Sequence, residues 1–289
     1  MKARPRRADF RKCRNLVALA PAPPLGSKLL RSVAMSPSRR ILTFAQYAAI
    51  RHTSPYVVDV VHDGARLVLL GGHHTTDPAD PLFGTIEAAF TQLSPAFALH
   101  EGTPPAVERE REIAIRRHGE AGLVRHLAAR AGIETASMDI PLAEEARLLR
   151  GELGQHDALV FLVVRQLASF NRKTARMDFE AYFGEFFATI APPLEIATLD
   201  WPLVEAEHLR LLGCPLVAAQ VTATETNPMR DDLPTQRIAR WSNRQRDERM
   251  LQCLLDALAA HRRVFASVGV THAVMLEPAI RAGVGPRTV

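Results

Sequence analysis

Apolar positions change their period several times along the chain, and each change predicts an element. Residues 55–61 and 66–70 are β-branched and leucine-rich runs on either side of His62, Asp63, Gly64 and Ala65. Two such runs around an Asp-Gly pair predict a hairpin. Between 81 and 93, Phe83, Ile86, Ala89, Phe90 and Leu93 recur at helical spacing, and Asp80 before Pro81 supplies an N-cap and a first-turn proline. Residues 95–99 are continuously apolar, as in a strand buried on both faces. Thr103, Pro104 and Pro105 then break the chain. A charged helix is expected at 108–117, a second at 119–131 and a strand at 133–138. Strand, helix and strand at this spacing imply a right-handed parallel crossover.

After Pro141 the pattern becomes helical, with segments at 142–150, 158–170, 179–190 and 204–212 separated by Gly151, Asn171, Pro192-Pro193 and Gly213. The run 159–164 is apolar enough for a strand, but its continuation into Arg165 and Gln166 favours a helix. Residues 222–240, rich in Thr, Pro and charge, read as a loop. A long helix is expected from 242 to 261, with Met250, Leu251, Leu254, Leu255 and Leu258 on its apolar face. A last strand at 264–268 runs into Gly269, Val270, Thr271 and His272, and 275–282 forms a closing helix. The sum is an α/β fold: a mixed, largely parallel sheet with flanking helices. One domain is expected over 41–289, with a helical insertion at about 142–213 that caps the strand ends.

Charge changes this picture at one end. Of 36 basic and 31 acidic residues, the first 40 positions hold eleven basic ones against a single acid, Asp9, which leaves 25 and 30 for the rest. The basic character belongs to a leader, so the body lacks the basic patch that nucleic-acid binding requires. The apolar part of that leader is short and broken by Pro21, Pro23 and Pro24, unlike a secretory signal. Residues 1–40 therefore read as a disordered leader, or as an over-extended reading frame whose start is Met35. No run approaches the roughly 18 apolar residues of a membrane helix. Cys13, Cys214 and Cys253 are odd in number and widely spaced. That argues against a disulfide framework and fits a reducing cytoplasm.

The candidate chemistry collects at strand ends, where α/β sheets place their ligands. One strand stops at Gly71-Gly72 and delivers His73 and His74; a second ends in Glu101; a third ends in Gly269 and reaches His272. The Gly-x-x-His spacing of Gly71 to His74 repeats from Gly269 to His272, which favours His74 over His73. Imidazole and carboxylate together suit Zn, Mn, Co or Fe with an open position for water; without a metal, a poised His or Glu draws a proton from water directly. On the long helix, Arg246 is placed to clamp a carboxylate or an oxyanion, with Arg244 and Arg249 as alternatives. Glu120, Glu225 and Asn227 are weaker candidates. The chain has no P-loop, no dinucleotide fingerprint and no Gly-x-Ser-x-Gly elbow.

As an ordered set, Gly71-Gly-His-His74, Glu101-Gly102, the helix around Arg117-His-Gly-Glu120, the segment Asn243 to Met250 and Gly269-Val-Thr-His272 resemble the TraB/Tiki superfamily, which is similar to the erythromycin esterases and to ChaN-type haem-binding proteins. The resemblance spans roughly residues 55–285. It implies a hydrolase of ester or peptide bonds in a small molecule or peptide. His74, Glu101 and His272 would be the catalytic residues and the ligands of a divalent transition metal where one is used, with Arg246 steadying the developing negative charge. It implies as the alternative a binder of haem or another small ligand without turnover; a silent scaffold is the third reading.

Overall fold

The computed structural model describes residues 40–102, 107–172 and 178–285. The leader and the break at 103–105 fall outside the described residues or nearly so. Five strands, β1 (Tyr56–His62), β2 (Ala65–Gly72), β3 (Phe97–His100), β4 (Glu134–Ser137) and β5 (Arg263–Gly269), form one sheet in the order β1-β2-β5-β3-β4. β1 pairs antiparallel with β2, and all other pairings are parallel. The expected hairpin turns at Asp63 and Gly64, both with positive φ. Because β2, β5, β3 and β4 run in one direction, their C-terminal ends share one edge of the sheet. Gly72 lies beside Gly269, and His100 beside both Ser267 and Ser137. That edge collects the side chains discussed below.

Nine α-helices surround the sheet among the described residues: α1 (Phe44–Ala48), α2 (Pro81–Leu93), α3 (Arg111–Ala131), α4 (Leu142–Leu153), α5 (Gln155–Arg172), α6 (Phe179–Leu194), α7 (Trp201–Leu212), α8 (Pro234–Ala260) and α9 (Val270–Gly283). Helices α2 and α3 cover one face, where Phe83, Ile86, Ile115 and Leu123 pack on Leu70, Ala98 and Phe265. Helices α8 and α9 cover the other, where Met250, Leu254 and Leu276 pack on Leu67, Leu69 and Val264. The block α4–α7 has its own core, built on Phe161, Leu162, Phe183 and Ile190. Asp80 caps α2 as expected, its Oδ1 accepting from the Leu82 amide at 2.9 Å.

Two helices matter for the site, and one of them departs from expectation. The two helices expected at 108–117 and 119–131 are the two limbs of α3, which meet at a break at Gly119, where φ is 56° and ψ −136°. A Cβ there would lie 2.8 Å from the Thr75 carbonyl oxygen, so only glycine lets the kinked helix press on the loop after β2. Residues 222–240 are not wholly loop, because α8 begins at Pro234. Its first turns bury Thr235, Gln236, Ile238 and Ala239 against the helical block, and its last turns bury Met250 to Leu258 against the sheet. At 1.5 Å per residue α8 is about 40 Å long. It ties the two cores together, and Arg246 and Asp247 fall at the seam.

Leu69 is fully buried in β2, whereas Val57 on β1 is half-exposed. Leu69→Ala is expected to cost about 2–5 kcal/mol through the cavity it leaves, and Val57→Ala about 1 kcal/mol or less. Urea denaturation of both variants measures the difference.

Candidate functional site

Glu101 follows β3 at the shared strand edge, and its side chain is 15 % exposed. Both carboxylate oxygens are held. Oε1 accepts from Arg246 Nη2 at 2.7 Å, and Oε2 accepts from the Gly269 amide at 2.7 Å. Two imidazoles stand one step further out: His74 Nε2 lies 3.7 Å from Oε2, and His272 Nε2 lies 3.7 Å from Oε1. Burial opposes the charge of Glu101, but His272, His74, Arg246 and the Gly269 amide outweigh it. The pKa is held well below the usual carboxylate range.

His74 is reached by a strained turn. Its φ is 57°, in the left-handed region that a histidine seldom occupies, at a cost of about 1–3 kcal/mol. The turn lays the ring against Gly269, where a Cβ would come 2.4 Å from Nε2. On the other side Glu120, carried in by the kink at Gly119, accepts from the His74 amide at 2.8 Å and faces Nδ1 at 3.7 Å. The imidazole is thus bracketed by two carboxylates. The attraction of Glu101 raises its pKa to about 9; burial opposes this, and the hydrogen bond and charge of Glu120 add to it. The ring is nevertheless 52 % exposed at the mouth of the cleft, where water screens these charges. Because the folded chain binds this proton more tightly, the stability it contributes is full below pH 6.5 and is lost as the pH rises through about 9.

His272 is placed by the first turn of α9, not by the loop that the sequence suggests. It is buried, and its Nδ1 pairs with Asp247 Oδ1 at 2.6 Å. Burial disfavours its charge, but the attraction of Asp247 and Glu101 and the Asp247 hydrogen bond raise its pKa. Asp247 is itself fully buried, and its Oδ2 has no hydrogen-bond partner among the described residues. Arg246 donates from Nε and Nη2 to Asp139 at 2.7 Å each and from Nη1 to Asn243 at 3.2 Å. Its guanidinium is committed to carboxylates, so it positions Glu101 and has little left for an oxyanion.

The four residues singled out in the sequence, His74, Glu101, Arg246 and His272, are therefore together. His73 turns away: its Nε2 pairs with Asp80 at 2.8 Å, outside this cluster. Arg244 pairs with Glu248. Glu225 caps a short 3₁₀ turn and Asn227 accepts from the Met229 amide. The sequence does not single out Asp139 or Asp247, and it offers Glu120 only as a weaker candidate. Only the helical register would have hinted at Asp247, since it adjoins Arg246.

These groups open onto a cleft of about 540 Å³ between the strand edge and the helical block, lined by His74, Glu101, Glu120 and Asp139 on one side and by Arg165, Ser169 and Arg172 of α5 on the other. Arg165 forms a bidentate pair with Glu145, which also accepts from Ser242 Oγ at 2.5 Å. Burial opposes the Glu145 charge, but Arg165 brings its pKa down to about 2.

The donor set does not fit a three-ligand metal. Among the described residues no three His, Cys, Asp or Glu side chains converge on one point. Glu101 already accepts from a guanidinium and an amide, and a dication at its Oε1 would meet Arg246 at contact distance. Comparison with protein-family models, with curated proteins and with solved structures returns no match.

Gly269→Ala keeps the amide that holds Glu101 but drives a methyl group into the His74 ring. The variant is expected to fold normally, with the His74 titration midpoint moved from about 9 toward 6.5. Imidazole chemical shifts across a pH series measure it.

Proposed function

We propose that the protein hydrolyses an ester or peptide bond with water activated at His74 and Glu101, without a metal. One observation carries the reading: an accessible imidazole at the mouth of a cleft has a carboxylate facing each ring nitrogen, at 3.7 Å on both sides. A gap of that length suits a bridging water better than a direct hydrogen bond. Neutral His74 takes a proton from the water at Nε2 as the water oxygen bonds to the acyl carbon. Glu101 and Glu120 stabilise the imidazolium that forms, as a buried carboxylate does in a hydrolytic triad. The tetrahedral intermediate collapses, the bond to the leaving group breaks, and His74 returns the proton to that group.

Arg246, His272 and Asp247 support this chemistry without touching the substrate. Arg246 fixes the orientation of Glu101 from the cleft side, and the Asp247–His272 pair backs it from the core. The positive charges of His272 and Arg246 keep Glu101 ionised, and an ionised Glu101 keeps the imidazolium favourable. A haem-binding role for the cleft has no comparable support.

With His74 as the base, kcat/KM on aryl esters is expected to rise about tenfold per pH unit and level off near pH 9. Glu101→Gln is expected to move that midpoint down, and His74→Gln to lower the rate by about 10²–10⁴. Exhaustive dialysis against a chelator is expected to leave the wild-type rate unchanged. A rate that survives His74→Gln, or that depends on an added metal, contradicts the reading.

A further inference from the structure

The positive charges of the cleft are not equivalent. Arg246 is held by Glu101 and Asp139, Arg165 by Glu145, and His74 stands between Glu101 and Glu120. Even His118, at the edge, lies 3.8 Å from Glu108. Arg172 is different. It lines the same cleft from the last turn of α5, is exposed, and has no ion pair or hydrogen bond among the described residues. The carbonyl end of α5 offsets part of its charge, about half an elementary charge at most, and among the described residues the rest is uncompensated. Ser169 lies three residues earlier, one turn away on the same helix face, and lines the cleft beside it.

The opposite wall carries the reverse sign. Glu101, Glu120 and Asp139 at the strand edge are three carboxylates against two cations, Arg246 and His74, both already paired with them. An anion is repelled there and attracted at Arg172, so the cleft is polarised from the sheet to α5. Its volume of about 540 Å³ is in the range of small-molecule sites. A guanidinium matches a carboxylate with two parallel N–H donors.

We propose that the substrate bears an anionic group, a carboxylate foremost, that Arg172 and Ser169 receive on the α5 wall while the scissile bond lies at His74. This rests on the hydrolase reading and adds its substrate class. The neutral reacting bond faces the acidic wall, and the charged end faces the helix. Entry in the reverse orientation would set the anion against a wall whose carboxylates exceed its cations and whose cations are already paired.

A matched pair of substrates tests it: mono(4-nitrophenyl) adipate, with a free carboxylate, and its methyl ester, without one. The wild type is expected to favour the free acid in kcat/KM by about tenfold, equivalent to one charge-assisted contact. Arg172→Gln is expected to bring that ratio close to one, and Arg172→Lys to restore part of it. Calorimetric titration with adipate measures the same subsite without turnover, with affinity about tenfold weaker in Arg172→Gln. Thermal melts establish that both variants fold. If the wild type hydrolyses both esters equally, or Arg172→Gln leaves the ratio unchanged, the anion subsite is overturned while the hydrolase reading stands. If neither ester is hydrolysed, the hydrolase reading fails and the adipate titration alone decides: affinity lost in Arg172→Gln supports the subsite, and no binding or equal binding overturns it.

Discussion

A carboxylate withdrawn from water costs several kcal/mol unless charge and hydrogen-bond donors replace its hydration, and Glu101 obtains both from four separate elements. Arg246 comes from α8, the Gly269 amide from the end of β5, His272 from α9 and His74 from the turn after β2. None of these elements is adjacent to β3 in sequence. The parallel topology puts their ends on one edge, and the charge of Glu101 makes their convergence favourable. The strain at His74, the kink at Gly119 and the bare backbone at Gly269 are local departures that this convergence requires.

Helix α8 converts that local constraint into an architectural one. Its two ends belong to different hydrophobic cores, so its axis is fixed relative to both the sheet and the helical block. Arg246 and Asp247 sit between the two packed segments and point their charges into the junction. Arg246 reaches Glu101 and Asp139, while Asp247 reaches His272. A second buried pair, Glu145 with Arg165, joins α4 to α5 at the same junction, and Ser242 of α8 bonds to it. The cleft lies where these charged contacts replace apolar packing.

Much of this was legible in the sequence, and what was missed has a common cause. The hairpin at Asp63-Gly64, the Asp80 cap and the parallel crossover follow from local pattern, and the α/β class with a mixed, mostly parallel sheet follows from them. The repeated Gly-x-x-His spacing pointed to His74 rather than His73, and the structure pairs the two glycine-bearing strand ends, Gly72 beside Gly269. The start of α8 was hidden because Thr235 and Gln236 are polar residues on a buried face, satisfied by carbonyls of the preceding 3₁₀ turn. Asp139, Asp247 and the role of Glu120 were hidden because an ion pair across 25 or 107 residues leaves no periodic trace. Periodicity reports which face is buried; it does not report which buried charge answers another.

The chemistry ascribed to His74 depends on Glu101 being held as a buried anion by Arg246, and a double-mutant cycle addresses that coupling directly. Urea denaturation is measured for Glu101→Gln, Arg246→Gln and the double variant. Arg246 keeps Asp139 after Glu101→Gln, and Glu101 keeps the Gly269 amide and two imidazoles after Arg246→Gln, so each single change is expected to cost about 1–3 kcal/mol. The double variant is expected to fall short of the sum by about 1–3 kcal/mol. Costs that add to within about 0.5 kcal/mol would show that the two charges do not depend on each other, and would contradict the account.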